Sequence, residues 1–293
     1  MDYQIAQTPL DLSAEYFYSV SLLVGAVVNW VLAAMLFFDP DNFLYTETPR
    51  YLRSRYLTAL SLLVFGLGFA LHWWFMPRFS NPLAASALSL AYFHIGGTLL
   101  SMSHTGLIDR HYLTFQVAIR DVSVLILSVL VYAMSALLQS HTLLYIGFAL
   151  FFLHIGFLTC KFYQSFHRIY LQLGNYANYL PNDTDRDMRF LFFSCHLIIL
   201  FGIGGIAVTL LFPTDTRPFT LLMFVGVAVF GYIYKALDGF SALVFEAEVN
   251  LRKSEEYLHT DQGRKEIVIF RQKRHQLSWL THFTLLSGFV KQW

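Results

Sequence analysis

The segment AEYFYSVSLLVGAVVNWVLAAMLFF, residues 14–38, decides the fold class. Glu15 is its only charged side chain, and Asp39-Pro40-Asp41 follows it directly. A helix rises about 1.5 Å per residue, so a run of this length crosses the ~30 Å hydrocarbon core of a bilayer. Proline and aspartate then end helices and begin turns. The segment therefore predicts a membrane-spanning helix.

Six further runs of the same kind follow along the chain, each about 17–25 residues long. Prolines and Asx residues stand in several of the gaps between them and mark the helix ends. The pattern predicts an all-α fold, a polytopic membrane helix bundle with about seven transmembrane helices. The further runs are 56–76, 83–102, 121–138, 143–160, 188–212 and 219–237.

The composition agrees with a chain whose main solvent is lipid. Apolar residues make up 56% and charged residues 13%, whereas soluble domains carry about a quarter charged residues. The net charge of +1 gives no electrostatic footprint for nucleic acid. Cys160 and Cys195 have no CxxC spacing and are predicted to be buried free thiols, which excludes a disulfide framework or a zinc-finger site.

Basic residues in the connections predict the orientation, because lysine and arginine are retained on the cytoplasmic side of a membrane. The first, third and fifth connections are rich in them, and the alternate connections are nearly bare. This bias predicts an N-terminus outside and a C-terminus inside. The basic residues are Arg50, Arg53 and Arg55, then Arg110 and Arg120, then Lys161, Arg168, Arg186 and Arg189, against Arg78 and Arg217 on the other side.

Three regions follow from these boundaries. Residues 1–13 are predicted to be a short extracytoplasmic tail, 14–238 the seven-helix transmembrane domain, and 239–293 a cytoplasmic juxtamembrane tail. The N-terminus has no basic segment or cleavage motif, so we expect no removable signal peptide. Glu, Lys and Arg are interspersed over 246–274, which predicts a solvated helix continuing from the seventh span.

Two of the predicted helices share a local pattern, FHIGG at 93–97 and LHIGF at 153–157. His94 and His154 each lie about 11 residues from the outer end of their helix, near the bilayer midplane. An ionisable group at that depth is costly unless it faces the bundle interior. Imidazole ligates metals and haem iron, so the pair could hold a haem or a metal ion, or relay protons. The alternative is two neutral histidines that hydrogen-bond across helices.

Other polar and small residues are interpreted structurally. Asp121 beside Arg120 is expected to be an interfacial charge with a salt bridge. Gly202, Gly204 and Gly205 predict close approach of a neighbouring helix. The chain has no phosphate-binding glycine loop, Ser/His/Asp arrangement or zinc-protease helix, so a hydrolase or kinase site is not expected.

Two motifs carry a family resemblance. The stretches NYANYL at 175–180 and DTDRDMRF at 183–190, followed by a glycine-rich span and Tyr-Ile-Tyr at 232–234, resemble the membrane region of certain bacterial regulators. In those proteins a multi-helix bundle precedes a cytoplasmic AraC-type helix-turn-helix domain. The resemblance covers about residues 143–256.

This resemblance implies that the bundle is a sensor or anchor in a bacterial cytoplasmic (inner) membrane, and that 240–274 is a linker. The chain departs from the family pattern because no recognition helix can be placed after Trp293, so we expect a truncated or diverged relative or a stand-alone membrane domain. We therefore expect no direct nucleic acid binding by this chain.

Two functional hypotheses follow. The first is a non-enzymatic membrane sensor or signalling anchor, with the lipid bilayer, an unidentified ligand and a cytoplasmic protein or a second copy of the chain as partners. The second is a haem- or metal-binding membrane redox protein, or a small-solute transporter, that uses His94 and His154.

Overall fold

The computed structural model describes residues 9–38, 49–109, 112–174 and 184–258, and every regular element in these ranges is helical. Seven of the helices are long and apolar enough to cross a membrane, which confirms the predicted fold class. The chain divides into two compact units, residues 1–243 and 244–293. The helices are α1 (Pro9–Phe38), α2 (Pro49–Phe75), α3 (Pro77–Ser80), α4 (Pro82–Ile108), α5 (Phe115–Leu138), α6 (His141–Gly174), α7 (Thr184–Leu211) and α8 (Arg217–Leu258).

Several spans are longer than their uncharged runs. The second begins at Tyr51 rather than at residue 56, and the third continues to Ile108 rather than ending at residue 102. Arg55 and His104 at these ends stay within the helix because they are buried against neighbours, whereas Arg53 is exposed. The spans are Ala14–Phe38, Tyr51–Phe75, Pro82–Ile108, Phe115–Leu138, His141–Arg168, Arg189–Leu211 and Arg217–Leu237.

Arg55 shows how a charge is accommodated inside a span. We predicted it in the first connection, but it lies in α2 and is buried. Its Nε donates to the carbonyl of Leu36 at 2.7 Å, and a terminal nitrogen lies 3.4 Å from the carbonyl of Met35. The last carbonyls of a helix have no partner within it, and a cation there also complements the helix dipole. Arg55 thus closes the end of α1 against α2.

Helix α4 is the axis of the bundle. It contacts α2, α5, α6 and α7. In its most apolar stretch of 18 residues, 67% of the residues are buried, against 22% in the corresponding stretch of α5. Its neighbours cover it on every side, so polar side chains on α4 must find partners within the protein. This position places His94 at the centre of the molecule.

Two helices continue beyond their candidate spans. α6 continues from Arg168 to Gly174, and α8 continues as a helix from Leu237 to Leu258. The AraC-like motif at 175–180 and residues 259–293 lie outside the described residues. The orientation and the domain boundaries at 13 and 238 stay predictions.

The glycines of α7 have two different roles. A Cβ on Gly205 would lie 2.6 Å from Cζ of Phe93, so the predicted close approach is correct there. A Cβ on Gly202 would meet no atom within 4 Å, and one on Gly204 would lie in ordinary contact, 3.5 Å from Leu222. Gly202 therefore faces open space, and the prediction of close packing at that position is wrong.

We expect Gly205→Ala to lower the free energy of unfolding by about 1–3 kcal/mol, because the added methyl group overpacks the Phe93 ring. The control is Gly231→Ala in α8, where an added Cβ meets nothing within 4 Å. Reversible unfolding in detergent measures both variants. Equal stability of the two variants would contradict the close approach of α7 to α4.

Candidate functional site

The structure brings His94 and His154 together. Nε2 of His94 lies 2.9 Å from Nδ1 of His154, and both rings are buried. They meet because α4 and α6 are adjacent and each histidine follows the start of its helix by about 18–20 Å along the axis. The Phe151 ring, 5.0 Å from the His94 ring, helps to enclose the pair.

Tyr132 of α5 is the second partner of His94. Its hydroxyl lies 2.9 Å from Nδ1 of His94 and 3.2 Å from the carbonyl oxygen of Gly147. Gly147 makes this possible, since a Cβ there would lie 2.5 Å from the Tyr132 ring. This tyrosine was not predicted from the sequence, because tyrosine is common in membrane helices and its depth alone does not pair it with a histidine.

Asp121 and Arg120 extend the cluster on the other side. Nε2 of His154 lies 3.6 Å from Oδ1 of Asp121, to which Nε of Arg120 donates at 2.6 Å. The predicted salt bridge is present, but Asp121 faces the bundle interior rather than the interface, with its side chain fully buried. Within the described residues, Oδ2 of Asp121 and Nε2 of His154 make no hydrogen bond. Nη2 of Arg120 is likewise without a hydrogen bond there.

The hydrogen bonds that join Tyr132, His94 and His154 have two possible donor directions. In one, the Tyr132 hydroxyl donates to His94, His94 donates to His154, and the Nε2–H of His154 faces the Asp121 carboxylate. In the other, Tyr132 donates to the Gly147 carbonyl, His94 donates to Tyr132, and His154 donates to His94. The two arrangements place the ring proton on opposite nitrogens of each histidine. At 3.6 Å, Nε2 of His154 and Oδ1 of Asp121 are not hydrogen-bonded, so the line of hydrogen bonds ends at His154.

The pair as it lies does not fit a metal ion or haem iron between the two imidazoles. Nitrogens on opposite sides of one metal are about 4 Å apart, because metal–imidazole bonds are about 2.0–2.1 Å long. The observed 2.9 Å is the length of a direct hydrogen bond. Among the described residues, no group of three or more His, Cys, Asp or Glu side chains is placed to hold a metal. Cofactor binding by His94 and His154 stays a prediction.

The buried His72 and His104 and the half-buried His196 belong to separate contacts. His104 pairs with Ser194 of α7 at 3.0 Å, and His72 pairs with Ser89 of α4 at 3.1 Å. His196 pairs with the hydroxyl of Tyr163 at 2.8 Å, which joins α7 to α6. None of these pairs joins the central cluster.

Arg78, at the predicted outer end, was placed in a loop by sequence reasoning but is buried in α3. It donates to the carbonyl of Pro213 at 3.0 Å and to Ser89 at 3.2 Å, and its guanidinium lies 3.1 Å from the centre of the Phe219 ring. Burial holds the pKa of this guanidinium below its usual value, and Tyr18 is among the groups that oppose the shift. Arg78 thereby fixes the beginning of α8.

Comparisons of the chain with protein-family models, with curated proteins and with solved structures find no match. Function is therefore argued from the geometry of the site.

We expect Tyr132→Phe to lower the free energy of unfolding by about 1–3 kcal/mol, because it leaves Nδ1 of His94 buried without a partner. Tyr145→Phe on α6 is the control, since the Tyr145 side chain is exposed at the surface of the bundle. Unfolding in detergent measures the difference between the two variants. An equal loss of unfolding free energy in Tyr145→Phe would contradict the role of Tyr132 as the partner of His94.

Proposed function

We propose that this chain is a membrane-embedded sensor or signalling anchor, in which the last span couples the helix bundle to the segment that follows. The observation that carries the proposal is the continuity of α8. Its residues 217–237 form the seventh span, and the same helix goes on to Leu258 without a break. A change in the packing of this span therefore acts on the backbone that continues beyond it.

Aromatic side chains hold the span part of α8 in the bundle. The Phe230 ring lies 4.8 Å from that of Phe65 in α2 and 5.2 Å from that of Phe201 in α7. Phe93 of α4 contacts both Phe65 and Phe201. These four rings, Phe65, Phe93, Phe201 and Phe230, form a cluster that we call the aromatic cluster. Together with Arg78 on Phe219, it links α8 to the core.

Such a bundle signals if a ligand binds one packing better than another. The ligand then shifts the population towards that packing by its differential affinity, and α8 carries the shift into residues 238–258. With the orientation that the basic residues predict, this segment lies on the cytoplasmic side of the inner membrane. The AraC-like resemblance favours a transcription-related output through a partner protein.

Replacing the ring that ties α8 to the bundle tests the coupling. Each aromatic pair contributes ~0.5–1.5 kcal/mol beyond its burial, so we expect Phe230→Leu to make the amides of residues 238–258 exchange hydrogen roughly 2–10 times faster. Phe224→Leu is the matched control, because Phe224 lies on the same helix and is half exposed. Unchanged exchange in Phe230→Leu would contradict the coupling.

A second candidate function is proton transfer, as in a proton-coupled transporter. The chain Tyr132–His94–His154–Asp121 favours it, since lines of aspartate and histidine inside a bundle are typical of proton relays. Along α5, Asp121 and Tyr132 are about 16 Å apart, roughly half the hydrocarbon thickness. A haem- or metal-binding redox function at these histidines would require His94 and His154 to move apart, because their 2.9 Å separation leaves no room for a metal between them.

Proton flux in proteoliposomes under a potassium diffusion potential tests this candidate. Glutamine keeps hydrogen bonds but does not relay protons, so we expect His154→Gln to reduce flux to the level of protein-free vesicles. His141→Gln, at the exposed start of α6, is expected to retain the flux. Equal flux in wild type and His154→Gln would remove proton transfer from consideration.

A further inference from the structure

The bundle contains an apolar cavity of about 330 Å³ among α2, α4, α6, α7 and α8. Its walls include Phe93 of α4, Phe151 and Ile155 of α6, Ile199 of α7 and Phe230 of α8. The volume is within the range of small-molecule sites, about 300–1,000 Å³. The cavity is therefore large enough for a ligand rather than for a water molecule alone.

Glycines keep this cavity open. Gly156 and Gly202 both line it, and a Cβ added to either would meet nothing within 4 Å. Glycine in membrane helices ordinarily allows backbones to approach closely, as Gly205 and Gly147 do here. Gly156 and Gly202 do not let a neighbouring helix approach more closely. Their lack of a side chain instead leaves space that belongs to the cavity.

The cavity opens sideways towards lipid between α6 and α7. These two helices are joined near one end, where Tyr163 bonds His196 and the Phe166 ring lies 4.6 Å from that of Phe192. Farther along, Phe152 and Ile203 line the cavity and are 51% and 52% exposed, which places them at its rim. A molecule dissolved in the bilayer reaches the cavity without crossing water.

Hydrogen-bonding side chains gather at one end of the cavity. Ser101 and His104 of α4 follow Leu100, the last apolar lining residue of that helix, and Thr159 follows the apolar lining of α6. α4 and α6 run in the same direction, so these side chains lie at one level, towards the predicted cytoplasmic face. Cys195, near the start of the antiparallel α7 span, lies at that level too. Among the described residues, no lysine, arginine or carboxylate lines the cavity.

We propose that this cavity binds a neutral amphiphile taken from the bilayer, with a hydrocarbon body along the apolar walls and a hydroxyl or carbonyl head at Ser101 and Thr159. An ionised head is disfavoured, because the polar end offers no opposite charge and burying an unpaired charge is costly. Binding itself does not depend on the proposed function. The consequence for signalling rests on it, since the ligand touches Phe230, the ring that ties α8 to the aromatic cluster.

Photolabelling of the full chain in nanodiscs tests the site. The probe is a diazirine-bearing hexadecanol at low mole fraction, with unlabelled hexadecanol as competitor and the matching diazirine fatty acid as the charged comparison. We expect saturable labelling on cavity residues of α4, α6 and α7, and about tenfold less labelling in Gly156→Leu and Gly202→Leu, which fill the open space. Gly231→Leu is the control, since Gly231 also has open space but does not line the cavity.

The head-group assignment and the coupling are read out separately. Ser101→Ala combined with Thr159→Val is expected to reduce saturable labelling by the alcohol several-fold, while leaving labelling by the fatty acid at its lower level. Unsaturable labelling spread over lipid-facing residues such as Leu153, and unchanged in the leucine variants, would overturn the site. Saturable labelling without any effect of hexadecanol on amide exchange in residues 238–258 would keep the site and overturn the proposed coupling.

Discussion

Inside a bilayer a polar group has no water to bind, and this constraint governs the rest of the structure. It makes every described span a helix, and it also pairs the side chains between helices. Thr58 of α2 and Ser103 of α4 share a hydrogen bond of 2.7 Å, and Ser61 donates to the carbonyl of Gly96 at 2.8 Å. These short polar contacts fix α2 against α4 where apolar surface alone would allow sliding, because lipid and protein are equally apolar there.

In the central cluster, the same constraint pairs most of the polar side-chain atoms but not all of them. His94 has partners for both ring nitrogens, whereas Nε2 of His154 and Oδ2 of Asp121 remain without a hydrogen bond among the described residues. The cluster also lies against the walls of the cavity through Phe151, whose ring is 5.0 Å from that of His94.

Helix α8 connects these features to the rest of the chain. Arg78 holds its beginning, and the aromatic cluster holds it near the level of the cavity. Phe65, Phe93, Phe201 and Phe230 line the cavity and also pack against one another. A molecule in the cavity therefore touches the contacts that position α8. The proposed amphiphile and the proposed signalling role therefore depend on the same contacts.

The sequence by itself determined what depends on distance along a helix: the seven spans and the matched depths of His94 and His154. Apolar length and turn residues fix these, because the bilayer sets the required length. Rotation about each helix axis was not predictable, since α4 is covered on all sides and has no polar face to mark its setting. Only the tertiary structure decided that Tyr132 and Asp121 join the histidines, and that Gly205 packs while Gly202 faces open space. Those outcomes depend on which helices become neighbours, and the large side chains of other helices decide that.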